Sequence, residues 1–136
     1  MFDHVSIGVA DIARSKKFYD AALKPLGYSR LSDGETSVGY GDKAVALWLG
    51  ASQKPVKADM ESGLHFCFVA GTAPRSMRFH AAALKAGGTD NGKPGLRADY
   101  GPKYYAALRH RSRRLPHRNS LRRFLIMPDI GKTFPP

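Results

Sequence analysis

Apolar and polar residues alternate at the start of the chain, with Val5, Ile7 and Val9 separated by Ser6 and Gly8 and preceded by His4. A period of two puts the apolar set on one face of a half-buried strand. The period then lengthens. Ile12, Ser15, Phe18/Tyr19, Ala22/Leu23 and Leu26 recur at helical spacing, which predicts a helix over Ile12–Leu26 capped by Asp11 and closed by Pro25 and Gly27. Asp33-Gly34 marks a hairpin turn between strands Tyr28–Ser32 and Thr36–Gly41, and Ala44–Gly50 reads as a further strand. Ser52–Gly63, polar and containing Pro55, reads as a linker. Beyond it the same order begins again, with a strand at His65–Ala70, Thr72 as cap, a helix over Pro74–Ala86 and Gly87-Gly88 as its stop. After the Gly/Pro-rich loop Gly87–Gly95, strands are expected at Leu96–Tyr100 and Tyr104–Leu108.

The recurrence is a duplication. His4–Tyr28 laid over His65–Thr89, at a constant offset of 61 and without a gap, matches at 9 of 25 positions. The identities include His4/His65, Ser15/Ser76, Phe18/Phe79, Ala22/Ala83 and Gly27/Gly88, and Val5/Phe66 and Ile7/Phe68 keep their apolar role. A fixed period signals a repeated supersecondary unit, and two copies imply paired half-domains, not a solenoid. Each half is β-α-β-β-β in outline.

Composition narrows the class. A chain of 136 residues, 43% of them hydrophobic, fits one domain able to bury a core unaided. No apolar run approaches the roughly 18 residues of a membrane span. Met1-Phe2-Asp3-His4 enters a strand pattern directly, without a signal peptide's charged and apolar regions. The single cysteine, Cys67, rules out an internal disulfide. A cytoplasmic protein, with no membrane partner, is the expectation. The net charge of +11 is unevenly spread: residues 1–108 carry 14 Lys+Arg against 10 Asp+Glu, and residues 109–136 carry 8 against 1. The pI therefore describes the tail more than the domain.

The duplicated module resembles the vicinal oxygen chelate superfamily of glyoxalase I, bleomycin-resistance proteins and extradiol dioxygenases. The likeness is carried by Asp3-His4-Val5-Ser6-Ile7-Gly8-Val9, Ser15-Lys16-Lys17-Phe18-Tyr19 and Pro25-Leu26-Gly27-Tyr28. In the second copy it is carried by His65-Phe66-Cys67-Phe68-Val69 and Phe79-His80-Ala81-Ala82-Ala83-Leu84. It covers residues 1 to about 108. It implies an α+β fold of two tandem modules whose curved sheets enclose a cavity. The modules are expected at 1–51 and 64–108, joined by a linker at 52–63. In metal-using members the ligands come from the first and last strands of each module, so the resemblance makes His4 and His65 the metal-ligand candidates. The last strand of module one, Ala44–Gly50, supplies no Glu, Gln, Asp or His and has Leu47 or Trp48 where a ligand would stand. Catalytic sites usually supply three protein ligands. A divalent metal ion and a metal-free pocket therefore both stand as readings.

The fourth ligand should follow Leu108, where the family runs roughly apolar-apolar-x-Asp-Pro-Asp-Gly-x-x-Ile-Glu. Here Arg109–Asn119 holds five Arg, two His and a Pro, which cannot form a buried central strand. Back-translated with suitable synonymous codons and read one base later, it gives Val-Ile-Asp-Pro-Asp-Gly-Tyr-Arg-Ile-Glu. The shifted codons take their first bases from positions set by the amino acids themselves. A frameshift near Leu108 thus accounts for residues 109–136 as a basic, non-family tail and leaves the second module truncated. It also accounts for the basic composition without nucleic acid, which is not an expected partner. The tail is expected to be disordered or loosely attached, with one sheet incomplete.

Two functions are carried forward. One is a glyoxalase-like lyase or dioxygenase that uses a metal at His4 and His65 as a Lewis acid. The other is a metal-free protein that binds or sequesters a small molecule in the cavity between modules. No catalytic residue is assigned. The pocket candidates are Trp48, Arg97, Tyr100 and Tyr105, aromatic or cationic residues on or beside the predicted strands, and a homodimer is the expected assembly. His80 is expected to serve the helix surface or packing, and Cys67 to be a small buried hydrophobe. Restoring Val-Ile-Asp-Pro-Asp-Gly-Tyr-Arg-Ile-Glu after Leu108 should raise the thermal unfolding midpoint and the solubility relative to the present chain. An unchanged midpoint would show that the tail is not a lesion.

Overall fold

The structure, a computed structural model, describes residues 2–56, 66–90 and 94–96, together with the backbone of 105–106 and 123–126. Strand β1 (Val5–Val9) leads into helix α1 (Ile12–Leu23), then β2 (Ser29–Asp33), β3 (Ser37–Gly41) and β4 (Val45–Ala51). Strand β5 (Phe66–Val69) leads into α2 (Ala73–Lys85), followed by β6 (Gly95–Leu96), β7 (Tyr105–Ala106) and β8 (Arg123–Ile126). A mixed α+β architecture is what the duplicated pattern predicts.

Both helices start as their sequences dictate. The Asp11 carboxylate accepts from the Arg14 amide at 2.9 Å, and the Thr72 hydroxyl accepts from the Arg75 amide at 3.4 Å, each satisfying one of the free amides of a first turn. Helix α1 stops three residues before the predicted Leu26. Lys24–Leu26 winds into a tighter 3-10 turn at Pro25, and Gly27 closes it at φ 90°. The amides of Gly27 and Tyr28 reach back to the carbonyls of Lys24 and Leu23. In α2 the same pair of bonds runs from Gly87 to Leu84 and from Gly88 to Ala83. The second helix therefore closes one residue earlier in the repeat, and the left-handed position passes to Gly87, at φ 96°.

Four strands of the first half form one sheet in the order β1-β4-β3-β2. The β2–β3 hairpin turns where Asp33-Gly34 predicts it, the Gly34 amide donating to the Ser37 carbonyl at 2.9 Å. Strand β1 pairs with β4 in parallel, Val5 opposite Leu47 and Ile7 opposite Leu49. Only a crossover can bring two parallel strands together, and α1 with the hairpin supplies it. The chain stays on this edge after β4, for Ser52 and Val56 donate to the carbonyls of Val9 and Gly8 at 2.9 and 3.0 Å.

One face of the sheet is the core. Ile7, Val9, Val38, Tyr40, Leu47 and Leu49 are buried together with Tyr19, Ala22, Leu23 and Leu26 of the first half and Ala70, Phe79 and Ala83 of the second. Burying an aliphatic or aromatic side chain contributes about 1.5–3 kcal/mol. The half-exposed ion pairs of Lys16 with Asp33 (2.6 Å) and of Arg30 with Asp20 (3.4 Å) contribute no more than about 1 kcal/mol each. The apolar layer decides the fold, and the ion pairs trim its edge.

The second half departs from the first. The partner of β5 is β8, antiparallel, with Phe66 opposite Ile126 and Val69 opposite Arg123, where the corresponding strand of module one pairs in parallel. Strands β6 and β7 pair separately, Leu96 opposite Tyr105. The described residues thus do not rebuild the four-stranded sheet in module two. Within the tail, for which disorder or loose attachment is the expectation, Arg123–Ile126 is a strand. Phe124 and Ile126 are strong strand formers, and β5 offers an edge for such a segment. One expectation is corrected: Cys67 is exposed, not buried, because Phe66 and Phe68 take the inward positions of β5.

Within the core, the Tyr40 hydroxyl donates to the Asp20 carboxylate at 2.9 Å, and its ring lies 5.7 Å from that of Tyr19. Burial, and then the Asp20 carboxylate, push the Tyr40 phenol above its ordinary range, and burial does the same to Tyr19. The fold favours the neutral phenols. Their contribution is full below the unfolded value of about 10 and falls as pH rises through the folded values. Replacing Tyr40→Phe should cost about 1 kcal/mol at neutral pH and make stability fall less steeply above pH ~10. Urea unfolding along a pH series checks both effects.

Candidate functional site

Alternation that buries Ile7 and Leu49 turns their neighbours to the opposite face, away from the core. There Ser6 lies beside Trp48 and Gly8 beside Gly50 across the β1–β4 pair. Strand β3 adds Ser37 opposite Gly50 and Gly39 opposite Trp48. Strands β1, β4 and β3 thus present mainly serine, glycine and one tryptophan to the open side.

The result is a shallow, open groove of about 390 Å³. Its described lining comes from Ser6–Gly8 of β1, Ser37 of β3, and the run from Trp48 to Ser52. Glycine shapes it in two ways. A Cβ on Gly39 would stand 2.7 Å from Val45 Cγ1 and 3.1 Å from Trp48 Cζ3, so the six-membered ring of the indole rests on the bare backbone of β3. A Cβ on Gly50 would meet nothing within 4 Å, so the floor between Trp48 and Ser52 is clear. Gly8 is roofed by Ser52, whose Cβ lies 2.9 Å from the Cβ position and whose Oγ accepts from the Lys54 amide. No group in this lining is ionisable.

Of the predicted site residues whose side chains are described, His4 and Trp48, the groove lining includes Trp48. His4 precedes β1, with its side chain 46% exposed and its Nδ1 2.7 Å from Asp3 Oδ1, and it is not part of that lining. Tyr105 belongs to β7, and His65, Arg97 and Tyr100 lie outside the described residues. Among the described residues no three His, Cys, Asp or Glu side chains gather where they could hold a metal ion. Among the described residues, β4 offers aliphatic side chains, glycine and an indole, and the groove lining offers hydroxyls, none of them a usual ligand of a catalytic metal.

His80 is half-buried on α2 with its Nε2 3.2 Å from Asp90 Oδ1, tying the helix to the loop that follows. Sequence reasoning passed over Ser6, Ser37, Gly50 and Ser52. The signal was present in Ser6-Ile7-Gly8-Val9 and Ser37-Val38-Gly39-Tyr40, where a small residue alternates with a large apolar one, and in Leu49-Gly50 on the strand between them.

Gly39, under the indole, and Gly50, in the groove lining, predict opposite outcomes. Gly39→Ala should destabilise by about 1–3 kcal/mol, since stiff Val45 and the indole must both shift. Gly50→Ala should be neutral or stabilise by about 0.5 kcal/mol through the unfolded chain. Chemical denaturation of both variants reads the difference.

A scan against protein-family models finds no match, and a search of curated proteins finds none. Among solved structures, the chain is similar to a glyoxalase/bleomycin resistance protein from Albidiferax ferrireducens T118. The identity is 33% and the TM-score 0.63, over 71% of this chain and 82% of that one. With the duplicated βα unit, the β1-β4-β3-β2 sheet and this likeness together, the chain belongs to the glyoxalase/bleomycin resistance protein family of the vicinal oxygen chelate superfamily.

Proposed function

We propose that this protein binds a small molecule in the groove on the open face of the β1-β4-β3 sheet, without metal-dependent chemistry. The observation that carries the reading is the groove itself, a glycine and serine floor against Trp48 on the face that the helices leave uncovered. Its volume falls within the roughly 300–1,000 Å³ usual for small-molecule sites, and its mix of apolar surface with a few hydroxyls is typical of them. The similar protein of Albidiferax ferrireducens bears a name that includes bleomycin resistance, and binding by sequestration is in keeping with that name. A second copy of the chain closes the open side of the groove in this reading, which makes the assembly a homodimer in the cytoplasm.

The lyase or dioxygenase reading rests on the equivalence of His4 and His65 in the repeat. Its weakness is chemical. A Lewis-acid site needs about three protein ligands, and β4 contributes none. Titration of the protein with Zn²⁺, Ni²⁺ or Mn²⁺, followed by the imidazole resonances and by calorimetry, should show no stoichiometric site, and His4→Ala should leave ligand binding unchanged. Trp48→Ala should weaken ligand binding about 10-fold or more, as removal of an aromatic anchor does. Stoichiometric metal uptake abolished by His4→Ala would overturn the reading in favour of the metal-dependent one.

A further inference from the structure

The outer surface of the two helices carries charge in a repeated pattern. Arg14, Lys17, Ala21 and Lys24 recur in the second copy as Arg75, Arg78, Ala82 and Lys85, at the offset of 61 that relates the modules. Spacings of three, seven and ten residues keep each set on one side of its helix. All six cations are exposed. We infer that the two stripes form one surface that binds the phosphate backbone of double-stranded nucleic acid, without reading its sequence.

Three observations carry the assignment. The first is that the stripes adjoin. A Cβ on Gly27, just past α1, would stand 4.0 Å from Nη1 of Arg75 in the first turn of α2. A Cβ on Gly88, just past α2, would stand 3.1 Å from Cε2 of Phe18 on α1. The helices therefore pack side by side and run in opposite directions. Packed helices lie about 8–10 Å apart, and a stripe of ten residues is about 15 Å long. A duplex carries one phosphate per ~1.7 Å of its axis, so that length offers enough of them to occupy six cations.

The second observation is the local surplus of charge. Helix α2 has neither Asp nor Glu in its sequence, and the one acid of α1 is Asp20. Its carboxylate is taken up by the Tyr40 hydroxyl at 2.9 Å and by the Arg30 guanidinium at 3.4 Å. Basic residues clustered along helices are the electrostatic footprint of a nucleic-acid binder. The tail supplies no part of this argument, since all six residues belong to the duplicated modules.

The third observation separates phosphates on a duplex from phosphates on a lipid surface. Alanine stands within each stripe, at Ala21 and Ala82, so neither stripe carries a large apolar side chain among its cations. Met77 and Leu84 are exposed beside the second stripe, but their counterparts in α1 are Lys16 and the buried Leu23. A helix that lies in a membrane surface sinks an apolar face into the headgroups. Here one helix of the pair has such residues, whereas contact with a nucleic-acid backbone uses both.

The experiment uses the full-length protein and a fluorescein-labelled duplex DNA of about 20 base pairs and arbitrary sequence. Fluorescence anisotropy follows binding from 50 to 200 mM NaCl, a range over which affinity should fall at least 10-fold. Lys17→Gln, Lys24→Gln, Arg78→Gln and Lys85→Gln, made together, should weaken binding at least 10-fold at the lower salt and flatten the salt dependence, with the unfolding midpoint held. Each helix's pair of substitutions alone should give part of that loss. The charge-keeping set Lys17→Arg, Lys24→Arg, Arg78→Lys and Lys85→Arg should hold affinity within about 3-fold, as contacts to phosphate do. Removing four tail charges instead, by Arg111→Gln, Arg113→Gln, Arg114→Gln and Arg118→Gln, should cost less than removing the four on the helices. An equal or greater loss from the tail set would overturn the surface and leave net charge as the cause. Tighter binding to phosphatidylserine–phosphatidylcholine vesicles than to the duplex would overturn nucleic acid as the partner. Absence of duplex binding at 50 mM NaCl would overturn the inference outright.

Discussion

Parallel pairing of β1 with β4, which sets Ile7 opposite Leu49 and Gly8 opposite Gly50, fixes both faces of the sheet at once. Side chains alternate along a strand, so a slip of one residue would exchange the two faces. Ile7 and Leu49 would then meet water, and Trp48 would be driven under the helices. The apolar layer shared with Tyr19, Leu23 and Phe79 makes that exchange expensive. The groove inherits its geometry from this constraint. Its glycines and serines need no stabilising contacts of their own, because the opposite face holds the strands in register.

Much of the fold could be read from the chain. Period-two alternation at Val5–Val9, helical spacing from Ile12 and the Asp33-Gly34 turn are local signals, and each produced the element it predicts. The boundaries that moved did so for local reasons as well, a 3-10 turn at Pro25 and an earlier left-handed glycine at Gly87. The site was less legible. Histidines and aromatics carry the visible chemistry of the sequence, whereas the groove floor is made largely by residues with little or no side chain. Gly39 and Gly50 look alike in sequence. Only the packing of Val45 and Trp48 separates a glycine that is required from one that leaves space.

The second half of the chain shows what duplication does and does not guarantee. The strand–helix unit recurs with a cap at the same position, yet β5 pairs antiparallel with β8, not in the parallel fashion of β1 and β4. A repeated βα unit does not dictate its sheet partner; the later strands do, and these have to be the right ones. Arg123–Ile126 supplies strand-forming residues without the module's own pattern. The same holds for Met77 on the outer side of α2, which is 57% exposed, whereas Lys16 at the same place in α1 reaches the Gly34 carbonyl of the β2–β3 turn. A helix face that one module covers with its hairpin is left bare in the other.

Trp48 is the only tryptophan in the chain, so its fluorescence reports directly which face of β4 it occupies. Acrylamide quenching of the native protein is the most direct test of the register. The account predicts emission from a half-exposed indole, quenched in the folded state and shielded when the groove is filled. Emission of a fully buried indole, insensitive to acrylamide until the protein unfolds, would place Trp48 in the core and contradict the arrangement on which the groove depends.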